Sequence, residues 1–284
     1  MSWRGNDAAI GVLSFDIDAE SAILAHGKQF LQNASVMTHQ AFGPLVGVPR
    51  ILALLEEYEL PATFFVPGVT AERYPAMMES IIGAGHEIGH HSHTHRSATG
   101  FSASDERADF ERALAALAKY GVTPVGHRAA LWEASWRTPE LVAEYGFLYD
   151  TSLQDDDRPY RLDTASGSIM ELPGHWSLDD WEQYAYLPDP NIGQILASPS
   201  KVVDMWTREI DAMRRHHSLF LLTCHPFISG RASRIEGLRQ VIEYGLEAAD
   251  FRFLSAQQVA QLANEDKEIE VRRLAIPQID LSLY

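Results

Sequence analysis

Residues 48–68, VPRILALLEEYELPATFFVPG, hold two hydrophobic patterns back to back. The first part, 48–58, has the three- and four-residue spacing of an amphipathic helix, with Pro49 near its start. The second, ATFFVPG at 62–68, is a short continuous apolar run bounded by prolines and a glycine, which reads as a buried strand. A helix feeding a buried strand is half of a parallel α/β unit, and the same alternation continues in both directions. Upstream, GVLSFDID (11–18) is a strand. Downstream, helices at about 71–84 and 104–120 separate the strands HEIGHHS (86–92) and VGHRAA (125–130). TPELVAEYG (138–146) has a Thr-Pro start and a glycine stop, and leads to the strands FLYDTS (147–152) and SIMELPG (168–174). A helix at about 201–216, the fully apolar strand SLFLLTCHP (218–226), the helix GLRQVIEYGLEAA (237–249), the strand FRFLS (251–255) and a final helix complete the chain. Seven or eight alternations without a linker predict one α/β domain over 1–284, with a parallel sheet inside and helices outside. A closed or nearly closed β/α barrel is the expected form, and an open doubly wound sheet is the alternative. Two irregular stretches, about 21–45 and 154–200, are expected as loops over one end.

The chain has 284 residues, 46% hydrophobic and 22% charged, enough for a sizeable core. With 39 acidic against 23 basic residues, its formal charge of −16 argues against nucleic-acid and anionic-membrane partners, which need a basic footprint. No apolar stretch approaches the length of a membrane span, and MSWRGNDAAIGVLSF lacks a signal-peptide pattern. The single cysteine, Cys224, has no intramolecular partner and sits in an apolar run, so packing is its expected role. These features lead us to expect a cytoplasmic protein.

The predicted strands end in chemistry. Asp16 and Asp18 close the first, and GHEIGHHSHTHR (85–96) places His86, His90, His91, His93 and His95 at and beyond the third. Arg128 follows the fourth strand, and His225 ends the apolar strand near the C-terminus. Parallel α/β folds gather ligands at the carboxyl ends of their strands, so these residues are expected to share one mouth. His91 and His95, four apart, suit one cation if the chain turns helical after the strand. His91, His93 and His95 suit one if it stays extended. Where only two histidines bind, a carboxylate such as Asp18 or Asp16 is the usual third ligand.

Taken in order, SFDID (14–18), HHSHTH (90–95), GHRAALWEAS (126–135), ELPGHWSLDDW (171–181) and LTCHP (222–226) resemble the motifs of the polysaccharide deacetylase (NodB-like, carbohydrate esterase family 4) family. The resemblance runs from about residue 10 to 262. It points to the cytosolic branch of peptidoglycan deacetylase-like proteins and cyclic imide or ureide hydrolases, which reads D-x-D at the first motif. It implies a distorted (β/α) barrel of about seven strands and hydrolysis of non-peptide C–N bonds. Carried over by motif position, Asp18, His91 and His95 would hold a divalent metal, most often Zn²⁺, with Co²⁺, Ni²⁺, Fe²⁺ or Mn²⁺ as substitutes. Asp16 would be the general base, held by Arg128. His225 would be the general acid, tuned by an aspartate of SLDDW, with Asp179 preferred over Asp180. His86, His90 and His93 receive no role. The same branch suggests a homo-oligomer, a tetramer or dimer. The family's usual proline is replaced by Ala130, which leaves φ free and alters the oxyanion-binding turn at Leu131.

Three other readings compete. A dehalogenase-type phosphatase would use D-x-D with Mg²⁺ but leaves five histidines idle, and a urease-like amidohydrolase expects H-x-H on the first strand. A non-catalytic binding barrel would be marked by loss of Asp16 or His225, and both are present. The insertion at 21–47 and the aromatic segment HWSLDDWEQYAYLPDP (175–190) could wall a pocket with Trp132, Trp176, Trp181, His39, Phe42 and Leu131. Such walls favour a small or soluble substrate bearing an N-acyl or imide group over an extended glycan, the peptidoglycan or chitooligosaccharide that remains the alternative.

Overall fold

The computed structural model describes residues 2–187, 193 and 196–283, so Pro188, Asp189 and Pro190 of the aromatic segment lie outside it. Ten strands form one sheet: β1 (Ala9–Asp16), β2 (Thr63–Val66), β3 (Glu87–His90), β4 (Gly126–His127), β5 (Tyr149–Asp150), β6 (Tyr160–Thr164), β7 (Gly167–Glu171), β8 (Leu219–Cys224), β9 (Phe251–Leu254) and β10 (Val271–Arg273). Their order is β10-β6-β7-β5-β4-β3-β2-β1-β8, with β9 against β1. From β7 round to β8, seven parallel strands make the barrel wall. Beyond β7 the chain reaches β8 through one parallel bridge, Asp179 to Thr223, which brings the two ends of the wall together.

β1 is the hub. β8 runs along one of its edges from Ile10 to Phe15, so β9 and β2 divide the other, β9 at Ala9–Val12 and β2 at Ser14–Asp16. All eight residues of β1 are buried, as expected for a strand covered on both faces. Helix Val48–Glu57 turns Ile51, Leu54 and Leu55 inward onto a core with Phe15, Phe64, Phe220 and Trp206. Each such side chain contributes roughly 1.5–3 kcal/mol by burial.

The expected β/α alternation is present, while the two stretches read as loops hold regular structure. Residues 21–47 contain helices Ser21–Leu24 and Ala34–Phe42, a 3₁₀ turn Lys28–Gln32 and a π-turn Gly43–Gly47. Asn33 caps the longer helix by accepting from the Val36 N–H at 3.2 Å. In the second stretch β6 pairs antiparallel with β7, and β10 returns to pair with β6 outside the barrel wall. No described helix is long and apolar enough to cross a membrane.

Candidate active site

Because the wall strands run parallel, Asp16, the 91–95 turn, Arg128, the 179–180 pair and His225 all emerge at one end. There Asp18, His91 and His95, all buried, bring one donor atom each into a common space. Asp18 Oδ1 lies 3.4 Å from His91 Nε2 and 3.2 Å from His95 Nε2. It is buried without a hydrogen-bond partner. His91 Nδ1 lies 2.8 Å from the Arg128 carbonyl, which can only accept, so Nδ1 carries a ring proton and Nε2 is the atom turned toward Asp18. Such spacing is that of neighbouring ligands around an ion held at about 2.0–2.2 Å. The donor set therefore fits a divalent cation. Burial alone would raise the Asp18 pKa, but the His95, His91 and His225 imidazoles hold it well below the ordinary value.

Asp16 sits beside this trio with its two oxygens divided. Oδ1 accepts from Arg128 Nη1 at 2.6 Å, and Oδ2 lies 3.7 Å from His91 Nε2. Arg128, 1% exposed, also donates to Ser14 Oγ at 3.0 Å, and its guanidinium lies 4.2 Å from the Phe65 ring centre and 4.7 Å from that of Trp132. Breaking such a buried pair by removing one partner costs about 3–5 kcal/mol.

His225, just beyond β8, corrects one expectation. Its Nδ1 donates to Asp180 Oδ1 at 2.7 Å and its backbone N–H to Asp180 Oδ2 at 2.9 Å, with Ser229 Oγ also donating to that oxygen. Asp179 Oδ1 is 3.6 Å from Nδ1. Asp179 instead caps helix Asp180–Tyr184 through the Trp181 N–H and accepts from Trp132 Nε1 at 2.7 Å. Asp180, not Asp179, is the direct partner of His225. Burial opposes the charged imidazole, yet Asp179, Asp180 and Asp18 raise the His225 pKa well above the ordinary value. Burial, with the neighbouring Asp180 charge, pushes Asp179 up to about 7 against the opposing effect of His225.

Positive φ concentrates here. Ala19, Ser92, His95, Leu131 and Trp132 are five of the seven non-glycine residues with positive φ among the described residues. Left-handed backbone in such residues costs free energy and persists where surrounding contacts over-determine it. Asp109, on helix Ala103–Ala118, holds the 92–95 turn by accepting from the His93 N–H at 2.7 Å and from Thr94 Oγ1 at 2.7 Å. The sequence reading missed it, because one buried carboxylate inside an amphipathic helix has no distinctive spacing.

A cavity of about 210 Å³ opens above these groups. Leu131, Trp132 and Trp176 line it. His39 and Phe42 do not. Helix Ala34–Phe42 packs against the turn after β8, so the His39 ring meets Phe227 and the Phe42 ring lies under the Arg231 guanidinium. Burial, with Arg231 and Arg234 nearby, lowers the His39 pKa to about 4. Of the 21–47 insertion only His26 reaches the cavity, which Trp181, Glu133 and Glu182 also line. Cys224 is buried with its thiol pKa raised by burial and the Asp180 charge, as suits a packing residue.

The remaining histidines stand apart from the trio. His90 Nε2 donates to the Phe110 carbonyl at 3.1 Å, its Nδ1 accepts from the Ser92 N–H, and its ring packs 4.0 Å from Phe110. His93 turns toward Gly68, where a Cβ would meet its Nδ1 at 2.2 Å. His86 packs beside Phe64, 5.4 Å between ring centres.

The polysaccharide deacetylase family profile matches residues 42–149. A Mycobacterium smegmatis protein assigned by name to the polysaccharide deacetylases, solved by crystallography, is 42% identical over 98% of each chain, with a TM-score of 0.94. The peptidoglycan deacetylase of Helicobacter pylori is 28% identical, covering 77% of this chain and 84% of that protein. The Puue allantoinase structure shares the fold, with 21% identity, a TM-score of 0.81, and 93% of this chain and 92% of that one covered.

Proposed function

The chain belongs to the polysaccharide deacetylase family of hydrolases, and from that premise we propose that it cleaves the C–N bond of an acylated amine or cyclic imide in a small or soluble substrate. Asp18, His91 and His95 are the proposed holders of a divalent metal, Zn²⁺ before Co²⁺, Ni²⁺, Fe²⁺ or Mn²⁺. The observation that carries this reading is Asp18 Oδ1, a buried carboxylate oxygen without a hydrogen bond, facing two imidazole nitrogens.

When bound, the metal supplies an activated water and polarises the substrate carbonyl. Asp16 Oδ2 would take a proton from the attacking water, while Arg128 holds Oδ1 and so fixes which oxygen faces the reaction. The turn at Leu131, on the cavity wall, offers its N–H to the developing oxyanion. His225 donates from Nε2 to the leaving nitrogen, and Asp180 on Nδ1 keeps that donor protonated and aimed. Asp179 acts one step removed, by holding Trp132 in the wall. Water is added across the bond, giving a carboxylate and a free amine, or opening the ring of an imide.

The cavity's small volume, below the roughly 300–1,000 Å³ usual for drug-sized ligands, favours a compact substrate. Deacetylation of peptidoglycan is the second reading, favoured by the name of the Helicobacter pylori relative. We take the chain as one catalytic domain over 1–284, acting in the cytoplasm as a homo-oligomer, a dimer or tetramer. The lone cysteine supports the first setting and the family resemblance the second. The test is a screen of metal-loaded protein against acyl-amines, cyclic imides, N-acetyl sugars and chitin oligomers. Turnover of a small amide or imide is expected, and faster turnover of oligomers than of any small substrate would overturn the reading.

A further inference from the structure

The floor of the cavity is used by the reaction just described, but its mouth is not. Glu133 follows the left-handed turn, Glu182 lies on the short helix Asp180–Tyr184, and Trp176 lies on the 3₁₀ turn Trp176–Leu178. All three are exposed. Neither glutamate makes an ion pair or a side-chain hydrogen bond among the described residues, and no described lysine or arginine lines the cavity. Trp176 is 58% exposed and joins no apolar cluster, whereas Trp132 and Trp181 both pack against the core. His26 lines the same cavity; burial and the neighbouring His95 lower its pKa, while the Glu133 charge opposes them. An exposed indole and two exposed carboxylates lining one cavity have the composition of a cation subsite, because indole is the best aromatic partner for a cation. The same charges repel a carboxylate, and the acidic chain as a whole adds to that bias.

We propose that Trp176, Glu133 and Glu182 bind a cationic group of the substrate, so that the enzyme takes acylated amines carrying a second, ammonium-like centre. This substrate class rests on the small-amide reading above.

The test compares three probes of matched length: monoacetylated putrescine, its uncharged isostere N-pentylacetamide, and the carboxylate-ended analogue. Kd is read from quenching of tryptophan fluorescence and kcat/KM from amine release, on the full-length metal-loaded protein. The cationic probe should bind about tenfold tighter than the neutral one at low salt, and the anionic probe weakest, with the margins shrinking as salt rises. In E133Q/E182Q the cation-to-neutral ratio should fall toward one. Equal affinities for the cationic and neutral probes, or a ratio unmoved by E133Q/E182Q, would overturn the subsite. Cation-preferring binding without hydrolysis of any probe would uphold the subsite and sink the small-amide reaction. Hydrolysis without a charge preference would do the reverse.

Discussion

His90 and His91 are neighbours in the chain, yet they serve different parts of the molecule. His90 closes β3 with both ring nitrogens satisfied by backbone groups and its ring on Phe110. His91 spends one nitrogen on the Arg128 carbonyl and turns the other to Asp18 and Asp16. The contrast repeats after the left-handed turn at Ser92, where His93 packs on Gly68 and His95 faces Asp18. Imidazole chemistry is the same in all four. What separates the proposed ligands from packing is, for His90 and His91, the partner each second ring nitrogen takes, and for His93 and His95, the left-handed backbone at Ser92 and His95 that turns the two rings apart.

The largest effect should come from the floor. Asp16→Asn should keep its metal while kcat falls by about 10²–10⁴, the range for loss of a general base. Loss of metal with activity would move Asp16 into the ligand set. A smaller effect should separate the paired aspartates: Asp180→Asn should lower kcat by about 10–100-fold, since it releases the His225 ring, and Asp179→Asn by clearly less. The opposite ranking would restore Asp179 as the tuning residue. On the packing side, His90→Ala should leave metal content unchanged and lower the unfolding free energy by about 2 kcal/mol, as buried truncations do. A metal-free but stable variant would erase the distinction between neighbours.

The smallest effect concerns Glu171 at the end of β7, whose pKa burial and the Asp150 charge raise well above the ordinary 4.5. The unfolded chain gives up this proton as pH passes about 4.5, while the fold keeps it, so this group's contribution to stability is present below that pH and declines toward the folded pKa. Glu171→Gln should flatten that decline in chemical denaturation between acid and neutral pH. An unchanged slope would show that the folded carboxyl is ionised.

The site was legible where it depends on strand ends. Asp16, Asp18, Arg128 and His225 needed only the recognition of strands, because a parallel wall sends every carboxyl end to one rim. What depends on local phase was not. Whether Asp179 or Asp180 faces His225 is decided by the bridge to Thr223 and the helix that starts beside it, which adjacent identical residues do not reveal. The irregular pattern of residues 21–45 reads as a loop, and a loop there would bring His39 and Phe42 to the pocket. As a capped helix packed on the turn after β8, it carries them away from the cavity. Of the β6–β7 hairpin only β7 carries a readable apolar run, since β6 has just Tyr160 and Leu162 alternating with polar residues over five positions.

In the proposed site His91 holds the metal with Asp18 and His95, while His90 and His93 do not. Metal content per chain, measured by plasma mass spectrometry on wild type, His91→Ala and His93→Ala after equilibration with Zn²⁺ and removal of free ion, tests it most directly. About one ion in wild type and in His93→Ala, with stoichiometric metal lost from His91→Ala, is the expected result. Full occupancy in His91→Ala, or loss in His93→Ala, would contradict the account.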